Sequence, residues 1–224
     1  MSRAVSTCRL MNTVIFDFDG TLADSLSTIV QIFEDLTGNG HLLTPKEMAE
    51  LRHLPIPVVA KRLNVPMWRV PYLLYRGRRI MQRRINTVVM YEGLDLVVRR
   101  LHQSGYRLLV ASSNSEHNIR AFLRNNAIDQ YITHVYGGIG LFSKSGALRN
   151  ILAHNRISTA NAVYVGDETR DLEACKAIGL QCIAVTWGFA NPEFLVKHDP
   201  FALVETPTEL EQAIASRFSE AATI

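Results

Sequence analysis

Asp17 and Asp19 are the side chains of this sequence best placed to do chemistry. They end the apolar run Val14-Ile15-Phe16 and precede Gly20-Thr21-Leu22. Carboxylates at the end of a buried strand are costly to desolvate unless a counter-charge meets them. A divalent cation supplies one, and paired carboxylates around a metal serve phosphoryl transfer. Asp-x-Asp alone is ordinary loop composition. The longer string Asp-x-Asp-Gly-Thr is more specific, arising by chance roughly once in 10⁵ start positions at average residue usage.

Phosphoryl transfer also needs a proton carrier and donors for the nonbridging oxygens. Three later segments offer them. Arg107-Leu108-Leu109-Val110-Ala111 reads as a buried strand and stops at Ser112-Ser113-Asn114-Ser115. Small hydroxyl and amide side chains at the start of a helix suit an anion, and equally suit helix capping. Lys144 precedes the helical pattern Leu148, Ile151, Leu152. A lysine is a compact charge for a phosphate or for keeping a carboxylate ionised, although alone it reads as a solvated surface residue. Ala162-Val163-Tyr164-Val165 runs into Gly166-Asp167, and Asp171 follows in the first turn of a helical pattern. An acidic first turn is common helix design, which accounts for Glu168 and Asp171 but not for Asp167 at a strand end.

The elements that must position these residues alternate. Strands are expected at 12–17, 106–111, 132–136, 162–166 and 181–186, with a short edge at 202–205. Helices are expected at 93–104, 115–125, 146–154, 170–178 and 207–216. Such alternation implies an α/β fold with a mainly parallel sheet covered on both faces. Ligands then gather beyond the carboxyl ends of the strands, where all the segments above lie. Residues 25–89 break the alternation and read as helices only: Ser27–Leu36, Pro45–His53, Ile56–Leu63 and Pro66–Ile85.

Asp17-Phe18-Asp19-Gly20-Thr21, Ser112 with Ser113-Asn114, Lys144, and Gly166-Asp167-x-x-x-Asp171 resemble, in order and spacing, the four motifs of the haloacid dehalogenase superfamily, and within it the phosphoglycolate-phosphatase-like branch. Val185-Thr186-Trp187-Gly188-Phe189 also resembles that branch and carries no assigned role. The resemblance implies a Rossmann-like three-layer core at 11–24 and 90–224, with an inserted helical cap at 25–89 that closes over the site. It implies Mg²⁺ held by Asp17, the backbone carbonyl of Asp19, and Asp167. It makes Asp17 the nucleophile, forming an aspartyl-phosphate, and Asp19 the acid and base. Ser112, the Ser113 and Asn114 amides and Lys144 would hold phosphoryl oxygens, and Asp171 would steady Lys144 or a water. The doubled serine leaves Ser112 and Ser113 both open as the motif hydroxyl, with Ser112 preferred because it ends the strand. An aspartate at position 19 points to a phosphatase or a phosphomutase, because an alkoxide leaving group needs a proton at neutral pH. The function so implied is Mg²⁺-dependent hydrolysis of a small phosphate monoester such as 2-phosphoglycolate. A phosphosugar mutase and a non-catalytic phosphate-binding or partner-binding module are the alternatives.

Composition sets bounds on this reading. The 224 residues suffice for one substantial core and a smaller module. No apolar run is long enough to span a bilayer. Residues 1–10 lack the apolar stretch of a secretion signal and read as a disordered extension. Cys8, Cys175 and Cys182 are odd in number and scattered, which fits reduced thiols in a cytoplasm. His117 reads as a helix-surface residue. No Asp or Glu lies between Glu50 and Glu92, a stretch that holds Lys61, Arg62, Arg69, Arg76, Arg78, Arg79, Arg83 and Arg84. That run reads as a solvated face, as attraction for an anionic metabolite, or as contact with nucleic acid or another acidic partner. Trp68, Tyr72 and Tyr75 interleave with it at helical spacing, and packing is the expected use. A net charge of +3 is too small to support nucleic-acid binding by itself. Oligomeric state is not legible.

Overall fold

The apolar run before Asp17 forms the central strand of a six-stranded, all-parallel sheet. A computed structural model describes residues 11–37, 47, 56–140 and 144–219. Along the chain these form β1 (Thr13–Phe16), β2 (Ala23–Asp24), α1 (Leu26–Thr37), α2 (Ile56–Arg62), α3 (Val70–Arg84), β3 (Val89–Met90), α4 (Leu94–Gln103), β4 (Arg107–Ala111), α5 (Glu116–Asn125), β5 (His134–Tyr136), α6 (Lys144–His154), β6 (Ala162–Gly166), α7 (Thr169–Lys176), β7 (Gln181–Val185), α8 (Pro192–Val196), β8 (Ala202–Val204) and α9 (Pro207–Ser219). The expected N-terminal extension, Cys8 and most of the expected helix Pro45–His53 lie outside the described residues.

The strand order is β5-β4-β1-β6-β7-β8. The chain leaves β1, fills one side with β4 and β5, then returns to β1's other flank with β6. Strand order therefore reverses at β1, and the crevice at its carboxyl end is where such sheets bind ligands. Side chains sort by the two-residue period of a strand. Val14, Phe16, Leu108, Val110, Val163 and Val165 enter one core with residues of α4, α5 and α9. Ile15, Leu109, Ala111, Ala162 and Tyr164 enter the other with residues of α6, α7 and α8. Both faces are buried, so the strands read as near-continuous apolar runs. Each expected strand contains an observed one, trimmed by a residue or two at its ends. Helix α8 was not expected; Asn191 caps it, accepting from the Glu193 amide at 2.9 Å.

Helices α1 and α3 pack together beside the sheet. Leu73, Gly77 and Met81 recur every fourth residue and face α1. A side chain at Gly77 would touch Ile32 and Leu36 at ordinary contact distance. The packing role expected for the aromatics here is corrected. Trp68, Tyr72 and Tyr75 are 79%, 55% and 59% exposed. They lie off the Leu73–Gly77–Met81 stripe, and the Arg76 and Arg79 guanidinium groups sit 6.0 Å and 5.9 Å from the Tyr72 and Tyr75 ring centroids instead. No helix among the described residues is long and apolar enough to cross a membrane.

Candidate active site

Strand register brings distant motifs to one level. Phe16 pairs with Val110 on one side and Val165 on the other. Asp17, Ser112 and Asp167 therefore emerge within a residue or two of each other at the sheet's carboxyl edge. The Asp17 amide donates to the Val165 carbonyl at 2.8 Å. The chain then turns tightly, with the Leu22 and Ala23 amides both donating to the Phe18 carbonyl. Phe18 anchors the turn by edge-on contact with Phe122 at 5.0 Å. Gly20 has φ +81°, and a Cβ there would lie 2.2 Å from an Asp167 carboxylate oxygen. Only glycine serves this turn, for both reasons.

Asp17 is buried. One of its oxygens accepts from the Phe18 amide at 2.7 Å and the other from the Lys144 ammonium at 2.8 Å. Lys144 also donates to Asp171. It opens α6 and lies 5.1 Å from the Tyr164 ring centroid, so an aromatic face from β6 supports the ammonium. The second Asp171 oxygen accepts from the Glu168 amide, closing a capping box on α7. Asp167 accepts from the Thr21 hydroxyl at 2.9 Å and from the Phe189 amide at 2.7 Å. Trp187 donates to the Thr21 carbonyl at 3.1 Å. The Trp187-Gly188-Phe189 segment thus fastens the first and fourth motifs together.

Asp19 has a different set of partners. Its carboxylate accepts from the Ser25 hydroxyl at 2.7 Å and from the Asn114 side-chain amide at 3.1 Å. Asn114 is itself held, its side-chain oxygen accepting from the Ser115 amide and from Asn118, both at 2.9 Å. The Asn114 backbone amide, expected to meet a phosphoryl oxygen, donates to the Ser112 hydroxyl at 3.1 Å. Ser115 caps α5, accepting from the Asn118 amide. The exposed His117 lies on the helix surface, as expected.

Burial raises both carboxyls, against different opposing groups. Burial pushes the Asp17 carboxyl up, while the Lys144 ammonium works against that rise. Burial also lifts Asp19, to about 6, opposed by the Ser25 hydrogen bond and reinforced by Asp17. Lys144 loses hydration by burial, yet Asp17 and Asp171 hold its pKa above the ordinary lysine value. Asp167 is raised well above the usual carboxylate range by burial, then by Glu168, Asp171 and Asp17. Glu168 rises to about 7 through burial, with Arg170 opposing.

Asp17, Asp167 and Asp171 each present a carboxylate oxygen, all within 4.8 Å of one another. Buried hard oxygen donors in excess of the local positive charge fit a divalent cation such as Mg²⁺. Each of the three accepts two hydrogen bonds, and Asp17 and Asp167 are the two that directly follow paired strands, β1 and β6. The Asp19 carboxylate is not in the group.

A small cavity of about 20 Å³ is lined by Asp17, Asp19, Ser112, Ser113, Lys144 and Arg170, among others. All the singled-out residues thus converge: five on the cavity, Asn114 behind Asp19, and Asp167 and Asp171 behind Asp17. Arg170, Thr21, Ser25 and Tyr164 were not singled out. Arg170 and Thr21 lie inside the quoted motifs, and that position was the available signal. Ser25 and Tyr164 are tied to the site only through three-dimensional contacts.

Comparison with known proteins places the chain in a family. The family model described as haloacid dehalogenase-like hydrolase matches residues 14–185. A Synechococcus elongatus protein named phosphoglycolate phosphatase is 35% identical over 211 residues, covering 91% of this chain and 97% of that protein. A Mycobacterium tuberculosis protein named tyrosine-protein kinase PtkA is 28% identical over 229 residues, covering 95% of this chain and 75% of that protein. A crystal structure described as a predicted phosphatase from Clostridium acetobutylicum superposes with a TM-score of 0.81 at 22% identity, covering 92% of this chain and 99% of that one.

Proposed function

The chain belongs to the haloacid dehalogenase-like hydrolases, and from that premise we propose that it hydrolyses a small phosphate monoester through an aspartyl-phosphate on Asp17. One observation carries the reading. Two carboxylates two residues apart line one small cavity with different partners: Asp17 with a lysine, Asp19 with a hydroxyl and an amide. Pairs of acids held in contrasting surroundings divide into nucleophile and proton carrier.

An Asp17 carboxylate oxygen attacks phosphorus as the bond to the leaving oxygen breaks. Asp19, with a pKa near 6, gives its proton to that oxygen, so an alcohol departs rather than an alkoxide. Water then attacks the phosphorus of the aspartyl-phosphate, and the Asp19 carboxylate takes its proton. Phosphate leaves and both aspartates return to their starting states. Lys144 and the Ser112 hydroxyl hold phosphoryl oxygens, with the Ser113 amide beside them, and Asp171 positions Lys144. Asp17, Asp167 and the Asp19 backbone carbonyl would hold Mg²⁺, which when bound would supply charge neutralisation at the phosphoryl group.

Residues 25–89 act as a cap over a core formed by 11–24 and 90–224, with the antiparallel β2–β3 pair as its hinge. The substrate is a small phosphorylated metabolite, and the name of the cyanobacterial relative makes 2-phosphoglycolate the first candidate. The buried free thiols Cys175 and Cys182 support a reducing, cytoplasmic setting. The test is phosphate release from p-nitrophenyl phosphate and 2-phosphoglycolate, with and without EDTA. Metal-dependent release that disappears in Asp17→Asn is expected. Release that survives both EDTA and that substitution contradicts the proposal.

A further inference from the structure

A second and much larger cavity, of about 300 Å³, lies among α1, α2, α3 and the strand-end loops. Among the described residues its lining is mostly apolar and includes Ile29, Ile32, Ala60, Val65, Leu73 and Met81. The polar members are Asp19, Ser113, Asn114 and Arg78. Three of them are chained: Asn114 holds Asp19, Asn118 holds Asn114, and the Asn118 side-chain amide donates to the Arg78 backbone carbonyl at 3.4 Å. Asp19 and Ser113 also line the small phosphoryl cavity, so the two spaces adjoin and share these residues. The proton carrier stands at their junction.

We propose that the large cavity receives the leaving group, and that the preferred substrate is the phosphate ester of an alcohol with an apolar body at least as large as one aromatic ring. The inference rests on the phosphatase reading of the site and adds the substrate class. Recognition sites combine an apolar wall with few polar groups that fix orientation, and a volume near 300 Å³ accommodates far more than two carbons. Glycolate carries a carboxylate and no apolar surface. Its carboxylate would find a single cation, Arg78, among the described residues lining this chamber, and would leave the apolar walls uncovered. 2-Phosphoglycolate, the candidate by likeness, therefore ranks below apolar esters. Asp19 lines both spaces and so lies where the leaving oxygen must receive a proton, which orients the apolar body into the chamber and the phosphoryl group toward Asp17.

The test compares kcat/KM for 2-phenylethyl phosphate, ethyl phosphate and 2-phosphoglycolate, whose leaving groups are all primary alkoxides. It uses the full chain with Mg²⁺ and p-nitrophenyl phosphate as a control for turnover. The phenylethyl ester is expected to lead both others by at least about tenfold, the scale on which apolar pockets discriminate. Ala60→Leu, which fills the chamber, should erase the lead over ethyl phosphate. Leu73→Phe repeats the test at a second wall, and circular dichroism with a thermal melt reports whether each variant is folded. A lead for 2-phosphoglycolate in the parent protein, or a phenylethyl preference that survives filling in folded variants, overturns the inference and leaves the phosphatase reading intact. No phosphate release from any ester, the control included, overturns both.

Discussion

The Lys144 ammonium lies 2.8 Å from the Asp17 carboxylate, although 127 residues separate the two in sequence. The contact is nearly closed to water, with side-chain exposures of 12% and 6%, and Asp171, the third member, is wholly buried. Removing one partner of a buried charge cluster strands the others, at a cost of about 3–5 kcal/mol. Lys144→Met is therefore expected to lower the thermal midpoint of the metal-free protein. It should also reduce kcat/KM by about 10²–10³-fold, the scale for losing one preorganised stabilising donor. Lys144→Arg should not restore activity, because a planar fork does not replace a compact ammonium between two carboxylates. Scanning calorimetry and steady-state kinetics check both; an unchanged midpoint and rate would remove Lys144 from the site.

Ser25 gives a prediction in pH. Its hydroxyl stabilises ionised Asp19 and so holds down a pKa that burial has lifted to about 6. Ser25→Ala removes that hydrogen bond and raises the Asp19 pKa further. The acid form then persists to higher pH, and the alkaline limb of kcat/KM for an alkyl phosphate should move upward. A limb that stays or moves down contradicts Asp19 as the proton donor.

Metal removal should couple to pH. Without a cation, burial raises the Asp17 and Asp167 carboxyls, and Glu168 to about 7. A raised carboxyl means that the folded protein holds the proton more tightly than the unfolded chain. Its contribution to stability is complete below the ordinary carboxylate pKa of about 4 and is lost as pH rises through the folded value. Cation binding needs the ionised form. The rise in melting temperature on adding Mg²⁺ in place of EDTA should therefore be larger at pH 8 than at pH 6. A rise that is equal or smaller at pH 8 contradicts the assignment of these carboxylates to the metal.

Gly20→Ala combines two faults. The backbone at φ +81° disfavours any side chain, and the new methyl carbon would lie 2.2 Å from the Asp167 carboxylate. The variant should lose more than about 1 kcal/mol in denaturant unfolding and also lose Mg²⁺-dependent stabilisation. Loss of stability with the metal response intact would mean that Asp167 does not hold the cation.

Much of this was legible in the sequence because parallel strands buried on both faces are apolar runs, and the runs of β1, β4 and β6 end in polar residues. Val14-Ile15-Phe16 and Val163-Tyr164-Val165 announced both their strands and the aspartates that follow. Order along the chain singled out Lys144, which its own surroundings did not. What stayed hidden depends on contacts between distant segments. Thr21 and Asp167 bond across 146 residues. Ser25 is an ordinary serine until the turn at Gly20 brings it to Asp19. The exposed Tyr72 and Tyr75 share helical spacing with a packing face, and only the position of α1 decides which stripe of α3 is covered. The large cavity is a property of three helices meeting, which no single helix displays.

Trapping the covalent intermediate tests the central claim most directly. Asp19→Asn leaves the nucleophile in place but removes the base that activates water. With p-nitrophenyl phosphate, whose leaving group needs little protonation, this variant should accumulate phosphoenzyme. Acid quenching followed by peptide mass spectrometry is expected to find the phosphoryl group on Asp17. A burst of p-nitrophenol with Asp17 unmodified, or with the phosphoryl group on another residue, would contradict the account.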